Sequence, residues 1–257
     1  SCRPVFMDGY AESFNFIAKY LKSKSYDGYK PKAIMSSAQN LPEDSRKIIE
    51  NAFGCQVFDK YGAREFGGGL AYECQSHQGH HIVAECNIIE IVKDGKPVVP
   101  GEIGEVVITD LNNFAVPLIR YRLGDLATQI DNTEVCPCGR GLPRIGKIEG
   151  RIQAMIVGTN NQFVPGSFFA RLFADYEYMI RQFQVVQEEF GQLKFRIVNA
   201  DLFNEEVLQK IISDTKKYLG QDLKITIEFL DLIEMGMTGK RQHSVSKIDI
   251  TQILSKI

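Results

Sequence analysis

Two short segments of the chain combine thiols with imidazoles, the side chains that transition metals prefer. Three of the four histidines lie between Gln75 and Glu85, just after Cys74, and the sequence Cys136-Pro137-Cys138 follows downstream. Two thiolates and one imidazole provide most of a tetrahedral zinc site, and the first segment can provide the fourth ligand. The Cys-x-Cys spacing is tighter than the common Cys-x₂-Cys spacing. Solvated histidines beside buried thiols are therefore the alternative interpretation.

A second group of residues is typical of nucleotide sites. Residues 61–69 are predicted to form a Gly-rich loop after a strand, where backbone can approach a ligand and Glu65 could hold Mg²⁺ near a phosphate. Asp125, at a predicted strand end, could accept ribose hydroxyls, and Lys240 lies in a Gly-Lys loop. Taken singly, the same features are also consistent with a glycine turn, a turn cap and a solvated lysine.

Hydrophobic periodicity predicts strands that alternate with helices in the first part of the chain, which favours a parallel sheet. The predicted helices are residues 14–21 and 41–53, and the predicted strands are residues 32–35 and 55–58. Gly54 is expected to end the second helix. Residues 81–130 are mostly strand-like, with a hairpin turn at 94–96.

The last third of the chain has the pattern of a small unit built from helices and strands. Helices are predicted near residues 167–173 and 204–219, and strands near 182–187, 193–198 and 224–229. The sequence therefore predicts an α/β fold with an added β region over residues 1–150, followed by a small α+β domain over 151–257.

The composition excludes several classes of protein. The 257 residues are 44% hydrophobic and 24% charged, with a formal net charge of -2. This balance predicts no nucleic acid or anionic membrane partner, and no run of eighteen apolar residues predicts a membrane span. The six cysteines, without an export signal, are expected to be reduced thiols or metal ligands in the cytoplasm. Oligomeric state is not predictable from these features.

The order of the motifs resembles that of the adenylate-forming superfamily, which carries a Tyr-Gly-x-Thr-Glu loop, a Tyr-Arg-x-Gly-Asp segment, a Gly-Arg hinge and a Gly-Lys loop. The corresponding segments here are residues 61–65, 121–125, 150–151 and 239–240. Residues 71–74, 116–122 and 136–140 further resemble the phenylacetate–coenzyme A ligase family, including its relatives in capsular polysaccharide biosynthesis. The resemblance covers nearly the whole chain.

The resemblance implies an acid–thiol ligase of the AMP-forming type. Such an enzyme joins a small carboxylic acid, aryl or other, to ATP as an acyl-AMP and then to coenzyme A as a thioester. It also implies that the chain holds the C-terminal part of the large adenylation domain, followed by a small mobile C-terminal domain. Two alternatives stay open: a relative that binds a nucleotide or metabolite without turnover, and an adenylating enzyme with a sugar acceptor.

Individual roles follow from the same resemblance. Ser37 and Ala38 would line the adenine pocket with Tyr61 against the base, Gly62 would be a further nucleotide-binding residue, and Glu65 would hold Mg²⁺. The ribose would be bound by Asp125, Lys240 would stabilise the charge that develops on the acyl phosphate, and Arg151 would lie at the hinge of the mobile domain. Some relatives carry zinc at matching segments, where His81 corresponds to a Gly-x-His-Ile pattern. The implied structural zinc ligands are therefore Cys74, His81, Cys136 and Cys138.

Three departures from the family pattern limit these expectations. Arg64 stands where Thr or Ser is usual, and the hinge continues as Ile152-Gln153-Ala154 without its usual charged residue. Nothing in residues 1–60 resembles the family's phosphate-binding loop. We therefore expect that the chain is part of a longer protein and that it cannot adenylate a carboxylic acid alone, because that loop supplies the backbone cradle for the β- and γ-phosphates.

Overall fold

The computed structural model describes residues 3–176, 178–234 and 242–248. The chain divides into two compact units, Ser1–Glu149 and Gly150–Ile257. Both contain helices packed on sheets, which confirms the predicted mixture of α/β and β structure. No helix among the described residues is long and apolar enough to cross a membrane.

The first unit begins with parallel strands joined by helices. Its first five elements are β1 (Phe6–Tyr10), α1 (Ala11–Ser23), β2 (Ala33–Ser37), α2 (Glu43–Phe53) and β3 (Gln56–Ala63). Strands β1, β2 and β3 pair in parallel. Helix α1 buries Ala11, Phe14 and Ala18, whose spacing places them on one helix face against the strands. Helix α2 ends at Gly54, which adopts a left-handed φ of 63°, as predicted.

The rest of the first unit is antiparallel. Its elements are β4 (Gly68–Glu73), β5 (His80–Ile82), β6 (Asn87–Lys93), β7 (Lys96–Pro97), β8 (Ile103–Asp110), β9 (Tyr121–Thr128) and β10 (Arg144–Ile145). Strand β11 (Ile148–Arg151) begins in this unit and ends two residues past its boundary. Strands β4, β5 and β10 extend the first sheet to six strands in the order β1-β2-β3-β4-β5-β10. A second sheet has the order β11-β9-β8-β6-β7. The predicted hairpin turn joins β6 to β7, with Asp94 and Gly95 at positive φ.

Two local predictions in this unit are wrong. The segment predicted as a Gly-rich loop belongs largely to β3 and β4, which pair with each other on either side of a short turn at Arg64–Phe66. Asp125 lies within β9 and not at a strand end, because pairing with β8 begins at Tyr121. In both places the strand pairing resumes beyond an irregularity in its register, so the local glycine signal marks a distortion within the strands and not the end of a strand.

The second unit is a four-stranded sheet with helices. Its elements are β12 (Ile156–Val157), β13 (Phe163–Val164), α3 (Gly166–Ala174), β14 (Ile180–Gln187), β15 (Gln192–Asn199), α4 (Glu205–Leu219), β16 (Lys224–Phe229) and β17 (Ser244–Ser246). The sheet order is β16-β15-β14-β17. Helix α4 starts where the Asn204 side chain accepts a hydrogen bond from the Glu206 N–H at 2.8 Å. The helices and strands predicted for this region are confirmed.

Candidate nucleotide site and metal centre

The carboxyl ends of β1, β2 and β3 meet at one edge of the first sheet, where sheets of this type bind ligands. Strand β2 ends at Ser37, which lies opposite Lys60 of β3, next to Tyr61. Ala38 follows with a φ of 63°, a conformation that is rare for alanine. The structure thus brings Ser37, Ala38, Tyr61 and Gly62 to the same edge. Lys60 also forms an ion pair with Asp8 of β1 at 2.7 Å, which joins the three strands there.

Tyr61 joins this edge to the second sheet. Its hydroxyl donates to Asp125 Oδ2 at 2.9 Å, and the two residues are each only 7% exposed. The carboxylate is therefore oriented by a buried donor, and its two oxygens together can accept several hydrogen bonds. Ribose hydroxyls are donors that such a carboxylate can bind. The family resemblance implied only that Tyr61 lies against the base, whereas in the structure its hydroxyl donates a hydrogen bond to Asp125.

Gly62 has a structural reason to be glycine that is independent of any ligand. A Cβ at this position would lie 2.3 Å from the carbonyl oxygen of Gly68, because β4 approaches β3 closely at an irregularity in their pairing. No larger residue fits without moving that strand. The strand pairing itself accounts for the glycine.

The remaining residues of the implied nucleotide site are more scattered. Glu65 is exposed in the turn between β3 and β4, beside exposed Arg64. Of the described residues, no two other potential metal ligands cluster with Glu65, so a Mg²⁺ ion there would depend on phosphate oxygens of a ligand, which suits this ion. Arg151 is exposed at the end of β11, beside Gly150 at a φ of 116°. Lys240 lies outside the described residues.

The four implied zinc ligands come together in the first unit. The ligand atoms of Cys74, His81, Cys136 and Cys138 all lie within 4.8 Å of one another. Cys74 Sγ and Cys136 Sγ are 3.6 Å apart, and Cys138 Sγ is 3.4 Å from His81 Nε2. Bonds of about 2.3 Å to sulfur and 2.0–2.1 Å to nitrogen in a tetrahedron require ligand separations of roughly 3.5–3.8 Å. The two short separations, between Cys74 and Cys136 and between Cys138 and His81, are thus close to those of a zinc tetrahedron, and the three cysteines are free thiols.

The surroundings of these ligands also suit a metal. His81 Nδ1 donates to the Leu142 carbonyl at 3.3 Å, which leaves Nε2, the nitrogen beside Cys138, as the metal-binding atom. Burial raises the pKa of the Cys138 thiol, but hydrogen bonds from the Arg140 backbone and from Cys136 outweigh it and lower that pKa to about 6. The pKa of the Cys74 thiol is raised, chiefly by burial.

A buried ion pair immediately precedes Cys74. The Arg46 guanidinium of α2 binds both oxygens of Glu73, at 2.8 and 2.9 Å, and the Asp59 N–H donates to Glu73 at 2.8 Å. Burial would raise the pKa of Glu73, but the Arg46 hydrogen bonds and charge reverse the effect and hold that pKa below its usual range. His80, next to His81, lies 3.2 Å from the carboxylate of Asp59. Sequence reasoning missed this network, since no spacing pattern links α2 to β4.

Comparisons with known proteins agree on one group of relatives. Residues 156–247 match the family described as the CapK C-terminal domain. A phenylacetate–coenzyme A ligase from Thermus thermophilus is 29% identical over 221 residues, 83% of this chain and 48% of the relative. Protein CapK from Staphylococcus aureus is 23% identical over 248 residues, 96% of this chain and 54% of the relative. The chain thus spans about half the length of these curated relatives.

A solved structure shares the fold. A 2-hydroxyisobutyryl-CoA ligase, solved in the postadenylation state in complex with 2-HIB-AMP, superposes with a TM-score of 0.68 at 18% identity, over 99% of this chain and 57% of the ligase. The same ligase in an open conformation, in complex with 2-HIB-AMP and CoA, gives a TM-score of 0.60. The fold is therefore that of adenylate-forming CoA ligases, as the motifs predicted.

Proposed function

The chain belongs to the adenylate-forming family that includes phenylacetate–coenzyme A ligase and CapK, and from that premise we propose that it is part of an ATP-dependent carboxylic acid activating enzyme. The enzyme forms an acyl-AMP from a small carboxylic acid and then an acyl-CoA thioester. The buried pair of Tyr61 and Asp125 at the ligand-binding edge of the sheet carries this proposal. It supplies an oriented carboxylate where a ribose has to be held. The free thiols suit a reducing compartment, and we place the enzyme in the cytoplasm.

Each implied residue has one task in this proposal. Asp125 accepts hydrogen bonds from the ribose hydroxyls, and Tyr61 orients the Asp125 carboxylate. Ser37 and Ala38 present their backbone to the adenine. Glu65 holds the Mg²⁺ that neutralises phosphate charge when ATP binds. Lys240 stabilises the charge of the transferring acyl phosphate.

The two units have separate tasks as well. The part before residue 150 contributes to the large adenylation domain, and residues 151–257 form the small mobile domain, with Arg151 at the hinge. Rotation of the small domain about this hinge would exchange the adenylation pose for the thioester-forming pose.

One observation favours a second candidate function. Arg64 places a fixed exposed cation where the family usually has a hydroxyl, directly beside Glu65. A cation at this point competes with Mg²⁺ for the carboxylate and for phosphate oxygens. A relative that binds a nucleotide or metabolite without turnover is therefore the alternative.

Replacing Asp125 with Asn tests the nucleotide site directly. We expect D125N to weaken the binding of AMP by about 10- to 100-fold, because a hydrogen bond to a charged group contributes about 1.5–3 kcal/mol. Isothermal titration calorimetry with AMP measures the change. The control is D94N, in the exposed turn between β6 and β7, which should bind like the wild type. Equal affinities of D125N and wild type, or no AMP binding by the wild type, would contradict the proposed site.

Activity of the chain alone gives an independent test. Because the chain spans about half the length of its relatives and residues 1–60 contain no phosphate-loop pattern, we expect no pyrophosphate exchange with any carboxylic acid. Labelled pyrophosphate incorporated into ATP is the measurement, with the Thermus thermophilus relative as positive control and phenylacetate among the acids. Exchange above background by this chain would show that it holds a complete adenylation site.

We also propose that Cys74, His81, Cys136 and Cys138 hold a structural zinc ion. Four protein ligands leave no open position for a substrate or a water molecule, which is the arrangement of structural sites. Zinc would tie the segment between β4 and β5 to the segment before β10. Its contribution is to the stability of the first unit and not to the acyl transfer chemistry.

A further inference from the structure

Arg144 is a buried arginine that joins the two segments carrying the proposed zinc ligands. It lies in β10, directly opposite His81 of β5, and is 6% exposed. Its Nη1 donates to the Gln78 carbonyl at 3.2 Å, within the segment from Cys74 to His81. Its Nη2 donates to the Glu134 carbonyl at 3.2 Å, two residues before Cys136. One guanidinium therefore contacts the backbone of both ligand segments.

The positive charge of Arg144 has no anionic partner among the residues that the structure describes. Over the described residues, no carboxylate lies within 4 Å of its guanidinium, and its side-chain partners are neutral carbonyl groups. Arg46, which is also buried, differs from Arg144, since it is paired with Glu73. Buried arginines are normally paired with an anion, because an uncompensated charge in a low-dielectric interior is strongly unfavourable.

The proposed metal centre supplies the opposite charge. When zinc binds, the three thiols lose their protons to solvent, and the histidine binds as neutral imidazole. One Zn²⁺ with three thiolates has a formal charge of -1. We propose that Arg144 is the counter-charge of this centre, a positioning residue that stabilises the bound metal electrostatically while it holds the two ligand segments. The inference rests on the proposed zinc site, but not on the proposed ligase activity.

Zinc affinity measures this role without any enzyme assay. We expect R144Q to bind zinc about 10- to 100-fold more weakly than the wild type, the range typical for residues outside the ligand shell of a metal. R144K keeps the positive charge but cannot contact both carbonyls. Its zinc affinity should be closer to that of the wild type than to that of R144Q. Competition with a chromophoric chelator gives the affinities. R122Q is the matched control, because Arg122 of β9 is an exposed arginine paired with Glu105 of β8. The zinc affinity of R122Q should equal that of the wild type.

A second ligand set separates the charge of Arg144 from its contacts with the carbonyls. The variant C138H converts the centre to two thiolates and two imidazoles, which with Zn²⁺ has a formal charge of zero. If Arg144 acts as a counter-charge, R144Q should weaken zinc binding by less than about threefold in the C138H background, well below its 10- to 100-fold cost in the native ligand set. A folding defect of R144Q enters both backgrounds equally and cancels in this comparison.

The outcomes distinguish the two proposals. Substitution of Co²⁺ gives an absorption spectrum that reports tetrahedral coordination by three sulfurs and one nitrogen in the native ligand set. A wild-type chain that binds neither metal would overturn the zinc site and the inference together. A wild-type chain that binds zinc, with the same R144Q penalty in both backgrounds or none in either, would overturn the counter-charge role alone.

Discussion

Loss of zinc is expected to lower the thermal unfolding midpoint of the first unit by roughly 8–16 °C. A ligand present at a thousand times its dissociation constant stabilises the folded state by about 4 kcal/mol, which corresponds to such a shift in a domain of this size. The free energy of zinc binding adds to the free energy of unfolding, because zinc binds only the folded state. Its ligands come from two chain segments, around residues 74–81 and 136–138, that folding brings together. C136S should have the same effect as chelation, since it removes a buried ligand.

Differential scanning calorimetry with zinc analysis provides the measurement. Protein purified without chelator should contain one zinc per chain, and C136S should contain none. The matched control is C86S, because Cys86 is a free thiol of the same unit outside the metal cluster. C86S should keep its zinc, and its free energy of unfolding should stay within about 0.5 kcal/mol of the wild-type value. Full zinc content in C136S would exclude a structural metal at this site. Removal of zinc from the wild type without a change in its unfolding midpoint would exclude it as well.

Truncation of Phe195 should have a comparably large effect in the second unit. Phe195 is fully buried in β15 and packs edge-to-face against Phe169 and Phe173 of α3, with ring centroids 6.2 and 5.8 Å away. A buried Phe→Ala substitution costs about 3–5 kcal/mol, because it removes apolar contacts and leaves a cavity that the neighbours fill only in part. We therefore expect F195A to lower the unfolding midpoint of this unit by roughly 12 °C or more.

The control for F195A is F190A, since Phe190 is 50% exposed in the turn between β14 and β15. Its substitution should change the stability by less than about 0.5 kcal/mol. Each unit has its own hydrophobic clusters, so calorimetry should show that F195A leaves the zinc-sensitive transition in place. A shift of less than about 1 kcal/mol for F195A would contradict the packing described for this core.

The sequence predicted the elements well where the signal is local. Apolar spacing in α1 and the glycine that ends α2 are properties of a few neighbouring residues, and both predictions are confirmed. Predictions were wrong where strand pairing decides the conformation, as at residues 61–69 and around Asp125. Strand β1 was not predicted. None of its residues is fully buried, and its extended conformation depends on pairing with β2, which the local sequence does not indicate.

For the candidate site, the sequence by itself determined which chemistry is present: thiols and imidazoles in two segments, and carboxylates and glycines in the order found in adenylate-forming enzymes. Only the tertiary structure decided which of these side chains meet. His80 and His81 are successive residues of β5, where side chains alternate between opposite faces, so His81 joins Cys138 and His80 joins Asp59. Tyr61 and Asp125 are 64 positions apart, and Arg144 contacts segments on both sides of the metal centre. Such contacts depend on strand register and burial, which are properties of the folded chain that no local spacing of residues encodes.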